Sequence, residues 1–278
     1  MFPSPIRIAL CIVVALIGTG CAPFGPHHAK ERVYPNVLFA SPGGHDLRMD
    51  LYVPDSPQPA PVVIWIFGGS WRIGSKGYHV NLRDLTKYGI AVAAIQYRLS
   101  GVATYPSQIE DCKAAAQWLR TEGPRYGIDP RQVAASGESA GGHLAALLGA
   151  IEGTPRIRAV CALYPPTDLV SLGRQYANPK RPSAMELLLG GPIERKLHLA
   201  AEASPLDRVR SDAPPFFIIH GADDTLVPVE QSRHLHRRLE SLGVESRLEI
   251  VPGKPHWFLL TPAQVAEVAR FFQKHFEK

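Results

Sequence analysis

Val133-Ala134-Ala135-Ser136-Gly137-Glu138-Ser139-Ala140-Gly141-Gly142-His143 is the stretch on which the fold of this chain turns. Val133 to Ser136 is a short run of small and apolar residues, as a buried strand needs, and Ala140 to Ala150 is rich in alanine and leucine, as a helix would be. Between them lies Gly137-Glu138-Ser139-Ala140-Gly141, a G-x-S-x-G pattern that a strand enters and a helix leaves. Gly137 and Gly141 keep the turn free of Cβ atoms that would collide with a tight backbone. Such a turn pushes the hydroxyl of Ser139 into a cleft. A plain strand-to-helix turn whose serine caps the helix would carry similar letters, so the remainder of the chain has to decide.

Outward from this turn, strand and helix patterns alternate. Leu47 to Val53 has a period of two and reads as a half-exposed edge strand. Val62 to Phe67, Ile90 to Ile95, Ile157 to Leu163 and Phe216 to Ile219 are continuous apolar runs, the mark of strands buried on both faces. Ser107 to Glu122 carries Ile109, Cys112, Ala116 and Leu119 at helical spacing, and Val229 to Leu242 is a helix that stops at Gly243. A last strand, Arg247 to Val251, precedes a helix from Thr261-Pro262 to about Lys274. This alternation predicts an α/β fold with a mainly parallel sheet and helices on both faces. Ser171 to Asp212, interrupted by Pro179, Pro182, Pro192 and Pro205, breaks the rhythm. It reads either as a helical insertion roofing a pocket at the strand ends or as a plain connection.

A serine hydroxyl becomes a nucleophile when an imidazole takes its proton and a carboxylate orients that imidazole. Both groups follow Ser139, each after a strand. Phe216 to His220 runs into Gly221-Ala222-Asp223-Asp224-Thr225-Leu226-Val227-Pro228, and Glu249-Ile250-Val251 runs into Pro252-Gly253-Lys254-Pro255-His256. The order Ser, Asp, His is that of the α/β-hydrolases. His220 to Pro228 resembles the H-G-x-x-D-x-x-V-P signature of that superfamily, which puts the acid at Asp224 and leaves Asp223 as a loop residue capping the turn. His256 is the base.

Acyl transfer also needs N–H donors aimed at the developing oxyanion. The Ala140 amide at the helix start is one. The others are expected from Phe67-Gly68-Gly69-Ser70-Trp71, which resembles the His-Gly-Gly-Gly-Trp motif of lipases and esterases. Gly69 and Ser70 would donate, and Gly68 would allow close approach. Phe67 replaces the motif histidine and cannot make its bracing hydrogen bonds, so Phe67→His is expected to raise activity.

From about Val33 to the C-terminus, the chain resembles the α/β-hydrolase branch containing feruloyl and acetyl-xylan esterases, the BD-FAE-like group. Besides Gly137 to Ala145, the likeness rests on Trp71-Arg72-Ile73-Gly74-Ser75-Lys76, Gln96-Tyr97-Arg98-Leu99-Ser100, Tyr105 to Lys113 and Tyr126-Gly127-Ile128-Asp129-Pro130. It implies a serine carboxylester hydrolase acting on small or aryl esters through Ser139, His256 and Asp224, with no metal or organic cofactor. An amidase such as an arylformamidase is the alternative, since residues 67–71 also resemble the His-Gly-Gly-x-Trp loop of that branch. A non-catalytic binding protein of the same fold is the third reading, against which stands a complete set of triad residues.

The 278 residues carry a formal charge of +5, with 45% hydrophobic and 20% charged residues, and no concentrated basic run. Arg237 and Arg238 fall on the solvent face of a helix, so nucleic acid is not an expected partner. Residues 1–21 read as an export signal: Arg7, an apolar run from Ile8 to Gly20 too short to span a membrane, then Cys21. Ile17-Gly18-Thr19-Gly20-Cys21 resembles a bacterial lipoprotein signal, departing from it at Gly18, and makes Cys21 the site of a lipid anchor. Ordinary cleavage near Ala22 would release a periplasmic or secreted protein instead. Residues 22–32 read as a linker and 33–278 as the domain. Cys112 and Cys161 are expected as buried thiols, and His45, His79 and His198 as surface or packing residues.

Overall fold

The computed structural model describes residues 30–276 apart from 79, 154 and 179. Residues 1–21, read above as an export signal, with Cys21, and also His79, lie outside the described residues. Eight strands form one sheet: β1 (Glu31–Ala40), β2 (Leu47–Pro54), β3 (Ala60–Ile66), β4 (Ala91–Ile95), β5 (Ile128–Glu138), β6 (Val160–Leu163), β7 (Phe216–Gly221) and β8 (Ser246–Val251). Their spatial order is β1-β2-β4-β3-β5-β6-β7-β8. β2 is antiparallel to β1 and β4, and the strands from β4 to β8 are parallel.

The continuous apolar runs divide by parity, because successive side chains of a strand point to opposite faces. Val62, Ile64 and Ile66 of β3 join the core on one face, while Val63 and Trp65 join that on the other. The first face is covered by α1 (Ser107–Thr121), α2 (Ala140–Ala150), α7 (Glu230–Ser241) and the short helices α3 (Leu169–Gln175), α4 (Ala184–Leu189), α5 (Leu197–Glu202) and α6 (Pro205–Arg208). The second is covered by α8 (Pro262–Phe276) and a 3-10 turn at Arg83–Tyr88. Helices on both faces of a mainly parallel sheet are what the alternation predicts. Cys112 and Cys161 are buried free thiols, and Arg237, Arg238, His45 and His198 are exposed.

Two expectations are corrected. Leu47–Val53 is not an edge strand, because β1 pairs along it and takes the edge. Two of its three polar positions are buried too: Asp50 accepts from Lys76 Nζ at 2.6 and 2.7 Å and from the Asn36 amide at 2.8 Å, and Tyr52 lies under the Arg83 guanidinium. Alternating letters therefore hid polar residues with partners on the far face. β1 begins at Glu31, so Glu31 and Arg32 belong to the sheet, not to a linker. Pro35 and the bulge at Asn36, where φ is 57° and the register slips, mask this strand in the sequence.

Ser171–Asp212 folds into the greater part of α3, all of α4 to α6 and a further 3-10 turn, and it roofs the carboxyl ends of the central strands. Tyr105 ties this roof to the body: its amide donates to Leu188 O (2.8 Å) and its hydroxyl to Glu202 O (3.1 Å).

Candidate active site

β5 delivers Ser139 at its carboxyl end in a conformation, φ 52° and ψ −119°, that L-residues rarely adopt. Close backbone packing enforces it. A Cβ on Gly141 would lie 2.0 Å from Ile66 O, one on Gly137 2.5 Å from Gly141 C, and one on Gly142 2.7 Å from Leu163 O. The turn is wedged between β3 and β6, and only glycine fits those positions.

His256 follows β8 and Asp224 follows β7, and the structure brings both to Ser139. His256 Nε2 is 2.8 Å from Ser139 Oγ, and His256 Nδ1 is 2.6 Å from Asp224 Oδ2. A carboxylate accepts only, so Nδ1 carries the proton and Nε2 is left to accept from the serine hydroxyl. All three side chains are buried. Asp223 is exposed, whereas Asp224 Oδ1 accepts the amides of Leu226 (2.9 Å) and Val227 (2.8 Å). Asp224, not Asp223, therefore meets His256 and also closes the turn.

His220, near the end of β7, has partners that its place in the sequence does not announce. Its Nε2 donates to Asp224 Oδ2 (3.0 Å) and Val227 O (2.9 Å), while its Nδ1 meets Ser232 Oγ at 2.6 Å. Burial pushes the Asp224 carboxyl upward, but hydrogen bonds from His220, His256 and the Val227 amide outweigh it and hold the group well below the usual carboxylate range. It is ionised whenever the imidazole needs orienting.

Glu138, between Gly137 and Ser139, accepts from Tyr164 Oη (2.9 Å) and Asn81 Nδ2 (2.8 Å). Burial and this carboxylate push the Tyr164 phenol far upward, so it remains a donor, and its ring meets that of His256 edge-on at 4.9 Å. Only the spatial neighbourhood reveals these roles, since Tyr164 lies 26 positions from Glu138.

The loop facing Ser139 has three consecutive residues in the left-handed region: Gly69 (φ 107°), Ser70 (54°) and Trp71 (58°). Left-handed φ in two non-glycine residues costs on the order of 1–3 kcal/mol each and persists only where surroundings hold it. Here they do. Trp71 Nε1 donates to His143 Nδ1 (3.1 Å), the Ser100 amide donates to Trp71 O (2.8 Å), Tyr97 Oη donates to Phe67 O (3.2 Å), and Lys76 is fixed on Asp50. Tyr97 and its neighbours are held in turn by the buried Arg98–Asp111 pair. Phe67 stacks on Tyr97 at 4.4 Å, and Gly74 packs against its ring so closely that a Cβ there would lie at 2.7 Å. The missing histidine is replaced by packing. Gly68 lets the loop approach: a Cβ there would sit 3.0 Å from Glu138 O and 3.3 Å from Ser139 Cβ.

His143 was not singled out by its letters. Since indole N–H can only donate, Nδ1 must accept, so Nε2 carries the proton and donates to Ala203 O at 2.6 Å. Ala203 caps the carboxyl end of α5, where carbonyls lack helical partners. Complete burial pulls His143 down to about 4, against the smaller opposing effect of the Ala203 bond. A neutral ring therefore links the loop to the roof.

Two cavities flank the serine. One, of about 550 Å³, is lined by Ser139, Ala140, Ser70 and Trp71 and by roof residues including Tyr176 and Met185. The other, of about 700 Å³, is lined by Gly68, Gly69, Glu138, Tyr164, Trp257 and Leu259. Such an arrangement can deprotonate Ser139, and it puts Ser70 of the left-handed loop and Ala140 at the start of α2 on the wall of the serine's own cavity.

Known proteins with similar sequences and structures include esterases. Esterase LipC of Mycobacterium tuberculosis (strain ATCC 25618 / H37Rv) is 34% identical over 232 residues, covering 76% of this chain and 57% of that protein. From the same organism, the probable carboxylic ester hydrolase LipM is 32% identical over 225 residues, covering 76% and 52%. The chain spans little more than half the length of these relatives. A solved structure, the truncated form of a carbohydrate esterase from gut microbiota, superposes with a TM-score of 0.77 at 27% identity, covering 91% of this chain and all of that one. The BD-FAE family model matches residues 49–239, a span from β2 to near the end of α7 that contains both the serine turn and Asp224. With that match and an α/β-hydrolase sheet beneath it, this chain belongs to the BD-FAE family.

Proposed function

We propose that this protein is a serine carboxylester hydrolase working through an acyl-enzyme. The observation that carries the reading is the unbroken line from Ser139 Oγ through His256 to Asp224, at 2.8 and 2.6 Å. Ser139 attacks the ester carbonyl as His256 Nε2 takes its proton. Asp224 holds the Nδ1–H tautomer and stabilises the imidazolium, with His220 and the Leu226 and Val227 amides fixing the carboxylate. The tetrahedral oxyanion faces the Gly69, Ser70 and Ala140 amides. His256 then gives its proton to the departing alcohol, and water activated by the same imidazole clears the acyl group. The names of the similar proteins support an ester bond as the target. The two flanking cavities suit a small or aryl ester with one half on each side.

Hydrolysis of 4-nitrophenyl acetate by the purified protein and by Ser139→Ala tests this. The variant should lose at least about 10⁴-fold in kcat. Equal, slow rates for both would end the proposal. Export with a lipid on Cys21 is proposed from the N-terminal sequence alone. Mass spectrometry of the mature N-terminus should find an acylated Cys21; an unmodified start near Ala22 or an uncleaved chain would overturn the anchor.

A further inference from the structure

The cavities on the two sides of Ser139 differ in charge. The one that contains the serine is also lined by Arg72 and Arg181, and no aspartate or glutamate lines it. Neither guanidinium has a hydrogen-bond or ion-pair partner among the described residues, although Arg174 on the same roof is paired with Glu194 and Arg98 with Asp111. Arg181 also borders a neighbouring groove containing Glu186 and Glu194. Those carboxylates are occupied, Glu186 by the Ser183 and Ile193 amides and Glu194 by Arg174. Unpaired arginines occur on open surface too, as at Arg237. Arg72 and Arg181 are different in that, though exposed, they share a concave wall with the nucleophile, where their charges add over one cavity.

The second cavity has the opposite character. Its charged lining residue is Glu138, and its walls include Ile73, Tyr78, Trp257 and Leu259, which are 70%, 59%, 65% and 67% exposed. Large apolar side chains left open around a cavity favour an apolar or aromatic guest, and the carboxylate at its base repels an anion.

Chemistry assigns the halves of the ester. The acyl group stays bonded to Ser139, which lines the first cavity. The alcohol must leave beside His256, whose following residues Trp257, Phe258 and Leu259 line the second. Resting on the esterase reading above, we infer that the preferred substrate is an ester of an anionic acyl group, such as a dicarboxylic acid monoester, with an apolar or aromatic alcohol. A carboxylate at the far end of the acyl chain would take the planar donor forks of Arg72 and Arg181.

The test compares kcat/KM for mono-4-nitrophenyl adipate and 4-nitrophenyl hexanoate, which share a leaving group and chain length, after subtracting spontaneous hydrolysis. At low salt the adipate should be favoured by about tenfold, with the ratio falling as KCl is added. The Arg72→Gln/Arg181→Gln double variant should bring the ratio close to one, and Arg72→Lys/Arg181→Lys should keep much of it. A wild-type ratio of one or below, or a preference untouched by the glutamine pair, overturns the inference while leaving the esterase intact. Faster cleavage of a phenylacetyl ester of glycolate than of the adipate also overturns it, by putting the charge on the other half. Failure to cleave these esters and 4-nitrophenyl acetate alike removes the esterase reading itself.

Discussion

The serine turn and the loop opposite it meet at the same point, yet they are rigid for opposite reasons. The turn is held by what its residues lack. Gly137, Gly141 and Gly142 have backbone atoms of neighbouring strands or of the turn itself within 2.7 Å of where a Cβ would be. The loop is held by what its side chains reach: Trp71 on His143, Phe67 on Tyr97 and Lys76 on Asp50. A constraint made by absent atoms permits one residue type. A constraint made by contacts can be rebuilt with other residues, and here Phe67 and Ser70 depart from the usual motif without loosening the backbone. The turn admits no side chain at three positions; the loop shares that limit at Gly69, where a Cβ would lie 2.1 Å from Ile73 O, and elsewhere tolerates coordinated change.

Variants on the two sides should separate accordingly. Asp224→Asn, at the triad end of the turn side, should cost about 10⁴-fold in kcat by favouring the wrong imidazole tautomer. The exposed Asp223→Asn should stay close to wild type, and the reverse ranking would undo the acid assignment. Gly141→Ala should destabilise the fold by about 4 kcal/mol or more, seen in thermal melting or lost soluble yield. A normal melt would break the claim that this side admits no side chain.

On the loop side the effects should be graded and repairable. His143 takes up a proton near pH 6.5 in an unfolded chain but only at about 4 in the fold. Its contribution is therefore full above pH 6.5 and is lost as pH drops towards 4, by about 3 kcal/mol over that window. Denaturant melts between pH 7 and 4 should show this slope, and His143→Gln, which cannot titrate, should flatten it. His143→Ala should lower kcat by about 10²-fold with KM little changed, because an unpaired Trp71 N–H no longer fixes the donors. Glutamine, which can accept through Oε1 and donate through Nε2, should rescue much of that loss. Phe67→His should cost about 1 kcal/mol in stability with a small fall in activity, since the close stacking on Tyr97 is weakened. The structure thus reverses the gain anticipated from restoring the motif residue. An increase in activity would return the loop to the conventional design.

What was legible in the sequence follows the same division. Apolar runs such as Val62–Phe67 and the order Ser139, Asp224, His256 were readable because each depends on local pattern: strand length, turn glycines and position after a strand. The choice of Asp224 over Asp223 came from a spacing, and it is the Asp224 carboxylate that is buried against His256. Long-range contacts left no such trace. β1 was hidden by Pro35 and Asn36, and Leu47–Val53 looked like an edge because nothing in its letters reveals Lys76 meeting Asp50. The bracing of Phe67 needed Tyr97, 30 positions away, and the tautomer of His143 needed Ala203, 60 positions away.

Ala203 contributes to this machinery only through its main-chain carbonyl. Every amino acid offers that atom, so the connection between roof and loop places no demand on residue identity at 203. Homologues aligned letter by letter would not reveal the connection, however faithfully they retained it. For protein engineering this makes the roof a module. A foreign helical cap could be transplanted onto the body without copying its sequence, provided its chain passes a carbonyl through the same point above His143.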